Sequence, residues 1–271
     1  MSLIEAFVLG IVQGLSEFIP ISSDGHLTLI PFMFGWEEPG LAFTVATHIG
    51  TLVALVWWYR KETVELIGNA LRFKQAPPDQ QLLIRLIVIS TIPAVFIGAL
   101  AESLVADAFE RPVIAVLFLG ITGYMLISTE TFVADREAEA RPIGTARARD
   151  AWIIGFAQAT AILPGISRSG MTIATGMRLG LTRTASARFS FLMAIPVIFG
   201  AIVFQIPDMM SEGLFGEGFG SFLIGVGAAF VSGFLAIRWF LGALQRHGLK
   251  PFGVYCIFAM IAGLLTALAR G

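Results

Sequence analysis

Apolar runs of spanning length recur along the chain at about 43 to 58, 82 to 101, 113 to 129, 189 to 206, 221 to 241 and 252 to 268. A helix of roughly 20 apolar residues covers the hydrocarbon of a bilayer, so these runs predict six transmembrane helices, the shorter ones near the lower limit. Two further segments, about 5 to 36 and 151 to 180, are apolar but broken, the first at Pro20 and the second at Pro164 and Gly165. A proline ring removes a backbone donor and clashes with the preceding turn, so each segment predicts two short helices joined at the break. Irregular backbone at membrane depth persists only against protein or a water-filled cavity, and each segment is therefore read as a re-entrant hairpin.

Sliding the chain over itself by about 145 positions lays Gly10-x-x-Gln13 on Gly155-x-x-Gln158, brings the Pro20 and Pro164 breaks together and, one position further, superimposes Phe43 on Phe189. Each half then reads as one hairpin followed by three spans, with repeat one at about 1 to 130 and repeat two at about 150 to 271 of a single integral membrane domain, 1 to 271. Three crossings per half is an odd number, which inverts the second half. The expected fold class is an all-α polytopic membrane protein of six transmembrane helices plus two re-entrant helical hairpins, arranged as an inverted-topology repeat.

Charge tests that count. Segments 59 to 81, 130 to 150, 181 to 188 and 242 to 251 carry twelve Lys and Arg residues, whereas 1 to 42, 102 to 112, 205 to 220 and the C-terminus carry only Arg111 and Arg270. The asymmetry predicts both termini outside and lets the hairpins enter from opposite faces, their tips meeting near the midplane. The composition, 56% hydrophobic and 14% charged, excludes an ordinary soluble domain, in which about a quarter of residues are charged. No Lys or Arg precedes Arg60, so the charged start of a secretory signal is missing and the first segment is expected to be retained. The lone Cys256 cannot form an internal disulfide. Membrane lipids are expected partners and nucleic acid is not.

The polar residues of the hairpins carry the chemistry. An ionisable group held within a bilayer is costly, which favours function over decoration for Glu17, His26 and Arg168. Gln13 and Glu17, four apart, share a helix face. Beyond Pro20, Ser22 and Ser23 stand where a helix starts, with His26 about a turn further on. In the second hairpin Ser167 is the expected cap, followed by Arg168, Ser169 and Gly170. Two helix N-termini facing one site suit an anion, and the planar guanidinium of Arg168 favours a phosphate. Ser23 is then a nucleophile or phosphate ligand, His26 a proton donor or alternative nucleophile, and Glu17 a base or metal ligand. Gln13 orients water or completes a magnesium shell. Ser22, Ser167, Ser169 and Gly170 are substrate-binding candidates, at least two of the serines being expected to act only as caps. His48, with Thr44, Thr47 and Thr51 on one face, is read as part of a stripe that either packs or backs the site residues, outside the primary site, and the Trp57 to Tyr59 cluster as an interfacial anchor.

The strings GLSEFIPISSDGH (14 to 26), FTVATHIGTLVAL (43 to 55), PGISRSG (164 to 170) and ARFSFLMAIPVIFGA (187 to 201) resemble the undecaprenyl-diphosphate phosphatase family linked to bacitracin resistance. The resemblance implies an enzyme of the bacterial inner membrane, opening to the periplasmic side. Such an enzyme removes the terminal phosphate of a long isoprenoid diphosphate carrier and regenerates the monophosphate for peptidoglycan and other wall polymers. It also implies a divalent cation, Mg2+ or Ca2+, for which Gln13 and Glu17 are the candidate ligands. A homodimer stays open. Two departures stand out: Gln13 occupies a position where many relatives have a carboxylate, and Asp24 one where a small residue or Ser/Thr is usual. The rival reading is a transporter or flippase for a phosphorylated isoprenoid, because inverted repeats with broken helices are also carrier architecture. A carrier needs an anion cradle but no hydrolytic set.

Overall fold

The computed structural model describes residues 1–100, 111–211 and 219–270. Among these residues the chain forms eleven α-helices: α1 (Leu3–Phe18), α2 (Ser23–Phe34), α3 (Leu41–Trp58), α4 (Arg60–Leu71), α5 (Pro78–Leu100), α6 (Pro112–Val133), α7 (Ala148–Thr160), α8 (Arg168–Arg178), α9 (Arg183–Ser211), α10 (Phe219–His247) and α11 (Lys250–Arg270). Six of them, α3, α5, α6, α9, α10 and α11, are long and apolar enough to cross a membrane, and they fall on the six predicted runs.

The helices overrun those runs at their polar ends. α9 starts at Arg183 and α10 continues to His247, so most of 181 to 188 and 242 to 251, expected as loops, is helical. Hydropathy marks where hydrocarbon ends, whereas a helix continues while its backbone bonds hold and its charges find partners. Arg183 pairs with Glu130 and Glu137, and Arg188 with Glu62. Segment 59 to 81, also expected as a loop, contains α4. Its exposed Val64, Ile67 and Leu71 share one face, the pattern of a helix lying along a bilayer surface. The loop expected at 102 to 112 lies almost wholly outside the described residues, as does the later part of 205 to 220.

The two broken segments form α1 with α2 and α7 with α8. α1 starts with a capping box, in which the Glu5 N–H donates to Ser2 Oγ and the Ser2 N–H to Glu5 Oε2. α2 begins after Pro20 with Ser22 as its cap, and α8 after Pro164 and Gly165 with Ser167 as its cap. At 1.5 Å per residue these four helices are about 24 Å to about 17 Å long, too short to cross roughly 30 Å of hydrocarbon.

Each leading helix lies against a long helix from the other half of the chain: α1 packs on α10, and α7 on α5. Glycine permits both approaches. A Cβ on Gly155 would lie 2.6 Å from the Ser90 carbonyl oxygen, and one on Gly14 would strike Ser232 and lie 2.5 Å from the Ala229 carbonyl oxygen. Gly14→Ala is therefore expected to destabilise the protein by about 1–3 kcal/mol, the usual cost of overpacking. The check is a lowered melting temperature in detergent. Gly227→Ala, with open space around it, should melt like wild type.

The breaks themselves meet. A Cβ on Gly25 would lie 2.9 Å from Gly165 Cα, and one on Gly170 would lie 3.4 Å from Pro20 Cβ. Beneath them Phe18 meets Phe191 edge-on at 5.6 Å, and Phe191 continues through Phe240 to Phe252, tying the end of α1 to α9, α10 and α11.

Candidate active site

Glu17 sits on the last turn of α1, 6% exposed, with both carboxylate oxygens engaged. Oε2 accepts hydrogen bonds from Gln13 Nε2, one turn earlier, at 3.0 Å and from Ser23 Oγ, the first residue of α2, at 2.8 Å. Oε1 accepts from Arg168 Nη2, the first residue of α8, at 2.6 Å. The second nitrogen of the same guanidinium, Nη1, reaches the Ser190 carbonyl at 3.4 Å. A carboxylate from one broken segment is thus bound by the guanidinium of the other, which the expected meeting of the tips requires. The first turns of α2 and α8 add unpaired backbone N–H groups and positive dipole ends beside this cluster.

The serines divide by role. Ser22 is a cap: its Oγ accepts from the Gly25 N–H at 3.2 Å, and its backbone takes φ 71°, a costly conformation for a residue with a side chain. Ser167 is the other cap, accepting from the Gly170 N–H at 3.0 Å and lying 3.3 Å from Ser169 Oγ. Ser23 alone of the four points its hydroxyl at Glu17.

His26, expected beside the serines as a proton donor or nucleophile, turns elsewhere. Its Nδ1 lies 2.8 Å from the Ser22 carbonyl and its Nε2 2.8 Å from the Tyr255 hydroxyl, with the two rings stacked. A ring nitrogen facing a carbonyl must donate, so the neutral ring accepts from Tyr255 at Nε2 and both nitrogens are committed. None of these bonds reaches Glu17, Ser23 or Arg168. One helical turn separates His26 from Ser22, and that spacing serves the cap rather than the carboxylate.

His48, read from its stripe of threonines as packing or as backing for the site residues, stands beside Glu17. Its Nδ1 donates to the Thr44 carbonyl at 2.8 Å, which turns Nε2 toward Glu17 Oε2 at 3.5 Å and Asp24 Oδ1 at 3.9 Å. Asp24 is part of this cluster, with its side chain 28% exposed. Sequence reasoning also passed over Tyr255 and Thr122. Thr122 Oγ1 donates to the Gly165 carbonyl and accepts the Ser167 N–H, which fixes the turn before α8. A single threonine on an apolar helix carries no signal of that duty.

The pair expected to hold a divalent cation does not present a ligand set for one. Both oxygens of Glu17 face N–H or O–H hydrogens, and Gln13 offers Glu17 its amide N–H, while its buried Oε1 has no partner. Glu17 Oε2 and Asp24 Oδ1 both approach His48 Nε2, yet among the described residues no group of three His, Cys, Asp or Glu could hold a metal ion.

Comparison with known proteins gives a consistent result. Residues 6–262 match the family model described as bacitracin resistance protein BacA. An undecaprenyl-diphosphatase of Gemmatimonas aurantiaca is 39% identical, the match covering 98% of this chain and 97% of the relative. One of Desulforudis audaxviator is 39% identical over the full length of both. A protein named undecaprenyl-diphosphatase 2 from Stutzerimonas stutzeri is 37% identical, again over the full length of both.

Proposed function

We infer that the chain, which belongs to the bacitracin resistance protein BacA family, hydrolyses undecaprenyl diphosphate to undecaprenyl phosphate and inorganic phosphate. It is a multi-span phosphatase of the bacterial cytoplasmic membrane, acting on a phosphoric anhydride and recycling the lipid carrier for wall polymers. The observation that carries this reading is Glu17, which accepts the Ser23 hydroxyl on one oxygen and the Arg168 guanidinium on the other. A binding cradle has no use for a hydroxyl aimed at a buried carboxylate, and the carrier alternative is not favoured.

In the mechanism this arrangement supports, Ser23 Oγ attacks the terminal phosphorus and its proton passes to Glu17 Oε2. The new Oγ–P bond forms as the anhydride P–O bond breaks, and undecaprenyl phosphate leaves with the proton from Glu17. Water then attacks the phosphoserine, giving a proton to Glu17, which returns it to Ser23 Oγ as inorganic phosphate departs. Arg168 exchanges Glu17 for phosphate oxygens, joined by the N–H groups opening α2 and α8. Ser169 and Gly170 follow Arg168 in the first turn of α8, while Ser22 and Ser167 hold the two helix starts. His26 keeps α2 in place through Ser22 and Tyr255.

The same reading takes the two broken segments as re-entrant hairpins of an inverted repeat within one membrane domain. The shortness of the four helices and the reciprocal packing of α1 on α10 and α7 on α5 support it. The clustering of Lys and Arg favours both termini outside, and a site opening to the periplasmic side is what the family resemblance implies.

Purified protein is expected to release phosphate from a long-chain polyprenyl diphosphate, and Ser23→Ala to lower the rate by about three orders of magnitude or more. Lipid movement across vesicles without phosphate release by wild-type protein would establish the carrier instead.

A further inference from the structure

We propose that the Gln13 and Glu17 pair holds no divalent cation before substrate arrives, and that a cation assisting the reaction enters already bound to the diphosphate. The proposal rests on the phosphatase reading and concerns where the cation resides. A hard cation such as Mg2+ or Ca2+ takes six or more oxygen ligands at about 2.0–2.6 Å. At Glu17 three protein donors occupy most of the equivalent positions. Arg168 covers Oε1 at 2.6 Å, Ser23 and Gln13 cover Oε2 at 2.8 Å and 3.0 Å, and His48 Nε2 stands 3.5 Å from Oε2. The three bonded donors aim hydrogens at the carboxylate, so a cation there must displace at least one and meet the guanidinium charge of Arg168 directly.

Gln13 adds to the exclusion. A carboxylate in its place would add a second negative charge one helical turn from Glu17. The amide adds none and presents its N–H. Turning Oε1 toward Glu17 would forfeit the 3.0 Å bond and set two oxygens against each other. The unpartnered Oε1 is one oxygen, well short of a coordination shell.

Charge balance points the same way. Glu17 and Asp24 already place two carboxylates about Arg168 and His48. A diphosphate adds several negative charges to that cluster, and a cation chelated by its own oxygens removes part of the repulsion without needing protein ligands.

Mn2+ titrated into purified protein, with the free ion read by electron paramagnetic resonance, tests this. Substrate-free wild type is expected to retain no more Mn2+ than Glu17→Gln. Adding a polyprenyl methylenediphosphonate, whose bridging carbon blocks hydrolysis, should bring stoichiometric Mn2+ onto wild type. Gln13→Glu should give the substrate-free protein a Mn2+ affinity at least about tenfold above wild type, the scale on which ligand-shell changes act. Mn2+ retained by substrate-free wild type and lost in Glu17→Gln overturns the proposal, and a Gln13→Glu protein that melts with wild type yet gains no Mn2+ overturns the part given to Gln13. Phosphate release by the same preparations judges the phosphatase reading separately.

Discussion

Glu17→Ala protein is expected to release phosphate from a polyprenyl diphosphate about 10²–10⁴-fold more slowly than wild type, the usual contribution of a general base. It is also expected to be less stable. Arg168 is 13% exposed and Glu17 is its counter-charge, so removing the carboxylate leaves a buried guanidinium facing a gap. Breaking a fully buried pair from one side costs about 3–5 kcal/mol, an upper bound for this partly exposed one. The two effects separate in a double-mutant cycle. Glu17→Ala and Arg168→Ala should each lower the melting temperature, and the double variant should lose less than the sum because neither charge is stranded. Turnover should stay lost in all three. Wild-type turnover in Glu17→Ala would end the catalytic assignment, whereas a strictly additive cycle would mean that the pair contributes nothing to the fold.

Much of this site was legible because membrane burial makes polar residues informative. Glu17 and Arg168 stand out against apolar neighbours, and the Pro20 and Pro164 breaks mark the two places where an irregular backbone must be sheltered. An odd number of crossings per half led to the expectation that they meet, and Glu17 and Arg168 are in contact. Two histidines share a different property: their surroundings depend on which way a ring turns. His26 and His48 each donate Nδ1 to a carbonyl four residues earlier, Ser22 and Thr44 respectively. Identical local bonds send one Nε2 to Tyr255 and the other to Glu17, because α2 and α3 face different neighbours. No pattern in the sequence distinguishes the two. The charged helix ends were missed for a related reason: Arg183 and Arg188 find partners on distant segments, and that allows α9 to start where the gap between apolar runs suggested a loop.

Arg168→Lys tests whether the guanidinium acts as a shape or as a charge. Arg168 uses separate nitrogens for separate tasks, Nη2 on Glu17 and Nη1 on the Ser190 carbonyl, so the fork is held in one plane before substrate arrives. A lysine ammonium is a point charge on a flexible stem and cannot span both partners or grip a phosphate through two parallel bonds. The substitution keeps the positive charge beside Glu17, and the fold should therefore survive it better than Arg168→Ala. The expected outcome is a fall in kcat/KM of about 10–10²-fold for lysine and about 10²–10³-fold for alanine, the latter matching the loss of a donor to developing negative charge. Lysine should raise KM and lower kcat together, since the same fork binds the diphosphate and follows its oxygens as the anhydride breaks. Wild-type kcat/KM in Arg168→Lys would show that positive potential alone suffices. The helix N-termini of α2 and α8 would then be the groups that orient the phosphate, with Arg168 reduced to balancing Glu17.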